Sequence, residues 1–175
     1  MIVRSLRGLA AAMALVAVVA SVSEAQMKSA SRFAIQGGVS LPNGDFGDAA
    51  DMGFQVGGSY TMQMNDQYSL RFNADYSRYA VASNPIFDGN WSQLGLFANA
   101  MMGFGDMGVY GLVGLGFVNT GLSVDGGGSD SQSDFAFNVG GGWGKNNWAI
   151  EARYQSVQAD GGSLNTLPIV FVWKF

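Results

Sequence analysis

Residues 169–175 constrain this chain more than any other stretch. Ile169, Phe171, Trp173 and Phe175 fall on one side of an extended chain, and Val170, Val172 and Lys174 on the other, because successive side chains of a strand alternate. One face is therefore entirely large and apolar. It needs cover, and no sequence follows to provide it. Lipid can provide it.

The same alternation recurs upstream, interrupted by turn residues, and predicts eight strands in all. The first, near 32–41, sets Phe33, Ile35, Val39 and Leu41 against Ala34, Gln36, Gly38 and Ser40. The second, near 53–63, sets Phe54, Val56, Tyr60 and Met62 against Gln55, Gly57, Ser59 and Thr61. The third, near 68–80, sets Leu70, Phe72, Ala74 and Tyr76 against Arg71, Asn73, Asp75 and Ser77. The fourth, near 92–104, opposes Leu94, Leu96, Met102 and Phe104 to Gln93, Gly95, Asn99 and Gly103. The fifth, near 109–119, is apolar or glycine on both faces. The sixth, near 134–144, opposes Phe135, Phe137, Val139 and Trp143 to Ala136, Asn138, Gly140 and Gly142. The seventh, near 148–158, opposes Trp148, Ile150, Ala152 and Tyr154 to Ala149, Glu151, Arg153 and Gln155. The eighth spans about 166–175 and carries Pro168 at its start, where ladder pairing need not have begun.

Two kinds of connection alternate. Longer ones are expected over about 42–52, 81–91, 120–133 and 159–165. Those after the second, fourth and sixth strands have only about four residues. Strands of about ten residues suit a tilted crossing of a bilayer. Short turns on one side and longer loops on the other are the pattern of bacterial membrane barrels, the short side being periplasmic.

The N-terminus supports secretion. Arg4 and Arg7 precede an apolar run from Leu9 to Val19, and Ser23-Glu24-Ala25 offers the small residues a signal peptidase needs. This reads as a signal peptide cleaved after Ala25, too short to span a membrane. Residues 26–175 are then one barrel domain. They hold 7 basic and 12 acidic residues, a balance that excludes nucleic acid, which needs a basic stripe. Charged residues make up only 13% of the chain, about half the usual share for a soluble domain. There is no cysteine, so neither disulfides nor thiolate chemistry arise.

The signal peptide, the eight-strand rhythm and the Val172-Trp173-Lys174-Phe175 ending together resemble the OmpA-like and OmpX-like outer-membrane barrels. So does the stretch from Leu41 to Tyr60, with Pro42, Gly44-Asp45-Phe46-Gly47 and Gly57-Gly58-Ser59-Tyr60. The resemblance covers residues 31–175. It implies an all-β fold, an eight-stranded antiparallel transmembrane up-and-down β-barrel, integral to a bacterial outer membrane. It also implies that Phe171, Trp173 and Phe175 form the C-terminal signal read by the barrel insertion machinery. The chain stops at the eighth strand, so no peptidoglycan-binding domain is expected. The competing fold is a soluble barrel of the lipocalin kind. It would turn Phe33, Phe72, Phe135, Phe137, Trp148, Phe171 and Trp173 inward. An eight-stranded interior is too narrow for that set.

Chemistry is sparse. With no histidine, a serine or aspartate lacks its usual activating base, so no enzyme is expected and no cofactor. Arg71, Asp75, Glu151 and Arg153 are the expected interior charges. In a narrow interior they must pair, which favours a salt-bridged plug over a gate or ion path. Gly114, Gly116 and Gly140-Gly141-Gly142 lie within alternating strands and suit close packing better than a phosphate loop. Asp45, Asp48, Asp51, Asp88, Asp125, Asp130, Asp134 and Asp160 fall in or beside the longer connections, where aspartate is an ordinary turn former. Among them Asp45, Asp48 and Asp51 are weak candidates for holding calcium, or for bridging through cations to lipopolysaccharide. Tyr60, Tyr76, Tyr110, Tyr154, Trp91, Trp143, Trp148 and Trp173 read as girdles at the membrane interfaces.

The expected protein is a monomer with a structural or surface-display role in the cell envelope. Its partners would be outer-membrane lipid and lipopolysaccharide. A narrow OmpW-like channel for ions or small apolar solutes is the first alternative, and a surface adhesin another.

Overall fold

The computed structural model describes residues 32–82, 89–124, 129–159 and 161–175. The expected signal peptide, and with it Asp88, Asp125 and Asp160, lies outside the described residues. Eight strands form a closed barrel in which each pairs antiparallel with its sequence neighbour and β1 closes on β8. They are β1 (Arg32–Asn43), β2 (Gly53–Gln63), β3 (Tyr68–Ala80), β4 (Gly89–Gly103), β5 (Val109–Val124), β6 (Ser129–Lys145), β7 (Trp148–Ala159) and β8 (Gly162–Lys174). A five-residue helix, α1 (Asp45–Ala49), sits between β1 and β2.

Every expected strand is present, but several run further than their apolar alternation. β4 begins at Gly89, β5 reaches Val124, β6 starts at Ser129 and β8 at Gly162. The β5–β6 hairpin therefore replaces most of an expected loop, and β7 turns into β8 within a few residues. The extensions are rich in Ser, Asn, Asp and Gly, so no face-to-face contrast marks them in the sequence. Asp130 and Asp134 consequently belong to β6.

Registers fix the tilt. Paired residues followed around the barrel from Phe33 lead through Tyr60, Phe72, Ala98, Leu115, Phe137, Ser156 and Asn165 to Asn43, ten residues further along β1. A stagger of this kind tilts strands about 35–45° from the barrel axis.

The alternation sorts the two faces. Phe33, Ile35, Val56, Leu94, Leu96, Val113, Leu115, Val139, Ile150 and Phe171 are exposed, while Gln36, Gln55, Asn73, Asn99, Asn138 and Gln155 are buried. In water this arrangement would be inside out. In a bilayer it places apolar area against lipid and backbone polarity within the sheet. Aromatic pairs mark both borders of the band. Phe33–Tyr60, Trp143–Trp148 and Phe171–Trp173 lie toward the end holding the short turns. Phe54–Tyr76 and Phe117–Phe135 lie toward the other. Beyond this second border the outward residues become Arg78, Ser92, Asn119 and Ser133, so the lipid-facing band ends there.

β5, unreadable by pattern, turns Leu112, Gly114, Gly116, Val118 and Thr120 inward and Val113 and Leu115 outward. Tight geometry at two turns requires glycine. Gly44 enters α1 at φ 62, and Gly108 leaves the 3-10 turn at φ 73, backbone that other residues adopt only with strain.

The interior is layered. At the short-turn end Ala34, Ala149, Val170 and Val172 pack together with Tyr110 against them. A charged layer follows. Beyond it lies a second apolar cluster of Phe97, Val118, Ala136 and Val157 with Leu164. Phe46, Ala50 and Tyr79 close the far end with Trp91 and Leu164.

Candidate functional site

All four expected interior charges meet in the charged layer. Glu151 of β7, 0% exposed, accepts both terminal nitrogens of Arg71 from β3 at 2.8 Å each. A planar fork against a carboxylate is the strongest geometry an arginine can make. Arg153 Nε approaches Glu151 Oε1 at 3.2 Å, and Arg153 Nη1 donates to Asp75 Oδ2 at 3.3 Å. The pairing is crosswise. Arg71 and Asp75, on one strand, form no ion pair with each other; each joins a charge on β7. Because β3 and β7 are four strands apart in a ring of eight, the chain Arg71–Glu151–Arg153–Asp75 crosses the lumen.

Two cations and two anions leave the layer neutral. That matters because an unpaired charge in such an interior costs several kcal/mol. Neutral side chains extend the network. Tyr110 Oη donates to Glu151 Oε2 at 2.8 Å. Arg71 Nε donates to Asn73 Oδ1 at 3.1 Å, which also accepts Asn99 Nδ2 at 3.0 Å. Gln36 Nε2 donates to Asp75 Oδ1.

Glycines on neighbouring strands make room for these side chains. A Cβ on Gly57 would overlap the Asp75 carboxylate, and one on Gly114 the Asn99 amide. One on Gly140 would lie 2.9 Å from Arg153 Cγ, and one on Gly142 2.5 Å from Tyr110 Oη. The long polar side chains thus lie flat across the next strand, each over a missing Cβ.

Other expected positions fare differently. Tyr110 and Trp91 are not in the girdles: Tyr110 reaches into the charged layer, and Trp91 packs on Phe46 at the barrel's end. Trp91 sits two residues before inward Gln93, so β4's own alternation already placed it inside. Tyr110 lies on β5, where alternation gave no guide. Asp45 and Asp48 are exposed on α1 and Asp51 follows it. Among the described residues, no group of three or more acidic, histidine or cysteine side chains could hold a metal ion. Phe171, Trp173 and Phe175 all point outward. Phe175 N donates to Phe33 O at 2.8 Å, which extends the β8–β1 ladder to the last residue.

A family model described as the outer membrane protein beta-barrel domain matches residues 11–175. No curated protein matches the sequence significantly. Among solved structures, the chain is similar to Ail, the attachment invasion locus protein of Yersinia pestis, solved with the heparin analogue sucrose octasulfate. Identity is 20% and TM-score 0.55, over 85% of this chain and 100% of that one. Neisserial surface protein A (NspA) gives 21% and 0.55, over 82% and 95%. OprG of Pseudomonas aeruginosa gives 14% and 0.52, over 84% and 97%. At such identities the likeness is one of fold, while the family model spans nearly the whole chain: it belongs to the outer-membrane protein β-barrel family.

Proposed function

We propose that this outer-membrane barrel is a closed, non-conducting structural protein that displays an acidic outer end at the cell surface, after removal of residues 1–25. The observation that carries this reading is the neutral charge chain crossing the lumen from β3 to β7. Apolar layers stand on both sides of it. An ion would have to break a bidentate pair and shed its water to pass. The partners in this reading are outer-membrane lipid and lipopolysaccharide, with the insertion machinery acting during biogenesis. Exposed Arg78 at the outer border of the lipid-facing band supports this reading, since an anionic headgroup would pair with its charge.

The test is conductance of the refolded barrel in planar bilayers. Stable silence at 1 M salt, where open barrels conduct, is expected; discrete steps in most insertions would sink the reading. A narrow channel is the second reading. It draws support from buried amides with no hydrogen-bond partner at Gln93 and Asn138, groups that ordered water satisfies in other interiors. An adhesin for sulfated glycans, the ligand class of the Ail complex, fits less well. Among the described residues, Arg78 is the one exposed cation at the outer end, against Asp45, Asp48, Asp51 and Asp130.

A further inference from the structure

The outer end of the barrel is stopped by Phe46 from a connection, with Ala50 of the same connection buried beside it. Phe46 is 1% exposed, although Asp45, Gly47, Asp48 and Ala49 around it on α1 are all exposed. Its ring stands edge-on to Tyr79, with centroids 5.4 Å apart at 78°, and to Trp91, at 5.7 Å and 85°. Leu164 packs against the same cluster and also against Phe97, Val118, Ala136 and Val157 below it. The slot therefore has aromatic walls and an apolar floor.

Apart from Ala50, its walls do not come from the segment that fills it. Tyr79, Trp91 and Leu164 belong to β3, β4 and β8. The Tyr79 hydroxyl is held by Ser40 Oγ at 2.8 Å. α1 has no side-chain cap. Its flank is tied to the end of β3 by Asp51 N to Ala80 O, at 2.9 Å, and to the residues after it by Ala82 N to Ala49 O, at 3.0 Å. These bonds are exchangeable with water.

Phe46 also leaves one demand unmet. Trp91 Nε1 is buried and has no hydrogen-bond partner, a costly state for a donor. A phenyl ring fills the slot but offers no oxygen. A ligand with a ring and an adjacent acceptor would supply both. Exposed Asp45, Asp48 and Asp51 at the approach disfavour an anion, and the apolar slot disfavours any buried charge.

We propose that this slot is a binding site for a small neutral aromatic molecule bearing a hydrogen-bond acceptor, and that Phe46 occupies it as a built-in competitor. Ligand binding displaces the ring and with it α1. The inference is independent of whether the barrel conducts.

The test uses the full barrel chain refolded in detergent, with acetophenone as probe and ethylbenzene as a control of similar shape without the acceptor. The readout is the indole N–H resonance of Trp91, assigned by its loss in Trp91→Phe. Trp143, Trp148 and Trp173 face the detergent and report mere micelle partitioning. In Phe46→Ala, acetophenone is expected to move the Trp91 signal saturably and selectively, and ethylbenzene to leave its N–H in place. Wild type should show the same shift at a concentration on the order of tenfold to a hundredfold higher, the weight of burying one phenyl ring. Phe46→Leu, which keeps the slot filled and guards against a misfolded alanine variant, should fall between. Any of three results overturns the proposal: no selective Trp91 shift in either variant, an equal response to ethylbenzene, or a response in the variants with none in wild type at probe saturation.

Discussion

Removing Glu151 tests the account of the interior most directly. Its carboxylate is 0% exposed and takes two hydrogen bonds from Arg71, one from Tyr110 and an ion pair from Arg153. Glu151→Leu leaves two guanidinium groups facing one carboxylate, Asp75. Breaking a buried pair by deleting one partner costs about 3–5 kcal/mol, chiefly through the charge left behind. Deleting both partners, in Arg71→Met with Glu151→Leu, restores neutrality and should recover most of that loss, since apolar replacements of buried pairs are often neutral or better. The expected coupling between the two sites is at least about 2 kcal/mol. Urea titration in detergent or vesicles, scored by the faster gel mobility of the folded, unboiled barrel, measures all three variants. A cost below about 1 kcal/mol for Glu151→Leu, or a double variant no better than the single, would refute the reasoning. It would mean that water in the lumen screens these charges, and the channel reading would then lead.

Five further outcomes are expected. Gly57→Ala and Gly140→Ala should each cost about 1–3 kcal/mol by the same titration, because the new methyl meets the Asp75 carboxylate and the Ala74 carbonyl at Gly57, and the Ala152 carbonyl and Arg153 at Gly140. Gly162→Ala, with nothing within 4 Å, should change stability by less than about 0.5 kcal/mol. Tyr110→Phe removes one hydrogen bond to a buried carboxylate and should cost about 1.5–3 kcal/mol; an unchanged urea midpoint would remove Tyr110 from the network. Millimolar calcium should leave the melting temperature where equal magnesium leaves it, since Asp45, Asp48 and Asp51 do not converge; a calcium-specific rise would revive them as ligands. Replacing Phe171, Trp173 and Phe175 with alanine should slow assembly by purified insertion machinery far more than spontaneous refolding into detergent; equal slowing of both would assign these rings to barrel packing alone.

The faces of β1, β2, β3 and β7 were legible because large apolar side chains recur on one side and polar ones on the other along most of their length, and in lipid the apolar side must face out. β5 was illegible for a physical reason. An eight-stranded lumen needs some apolar filling, so Leu112 and Val118 inside oppose Val113 and Leu115 outside, and the contrast vanishes. The four interior charges were legible as a set, because no other place on a lipid-facing strand tolerates them. Their crosswise pairing was not, since it depends on which strands stand opposite after closure. Sequence spacing within β3 or β7 carries no trace of that. Phe46 was hidden differently: a single phenyl in a Gly- and Asp-rich connection has no period, and only the fold shows where it points.

The glycine seats imply a rule about how this interior can change over generations. Asp75 rests over Gly57, Asn99 over Gly114, Arg153 over Gly140 and Tyr110 over Gly142. Each is a couple joining adjacent strands, so neither member is free to vary alone. A bulkier residue at a seat calls for a shorter one on its partner and for a shift of the neighbouring strand's carbonyl, and a shortened partner leaves a gap that only a refilled seat closes. Strands of this barrel are thus not interchangeable staves. Transplanting one from a relative without its neighbours would import one half of two different couples, and the lumen would register the mismatch even where the lipid-facing side matched perfectly.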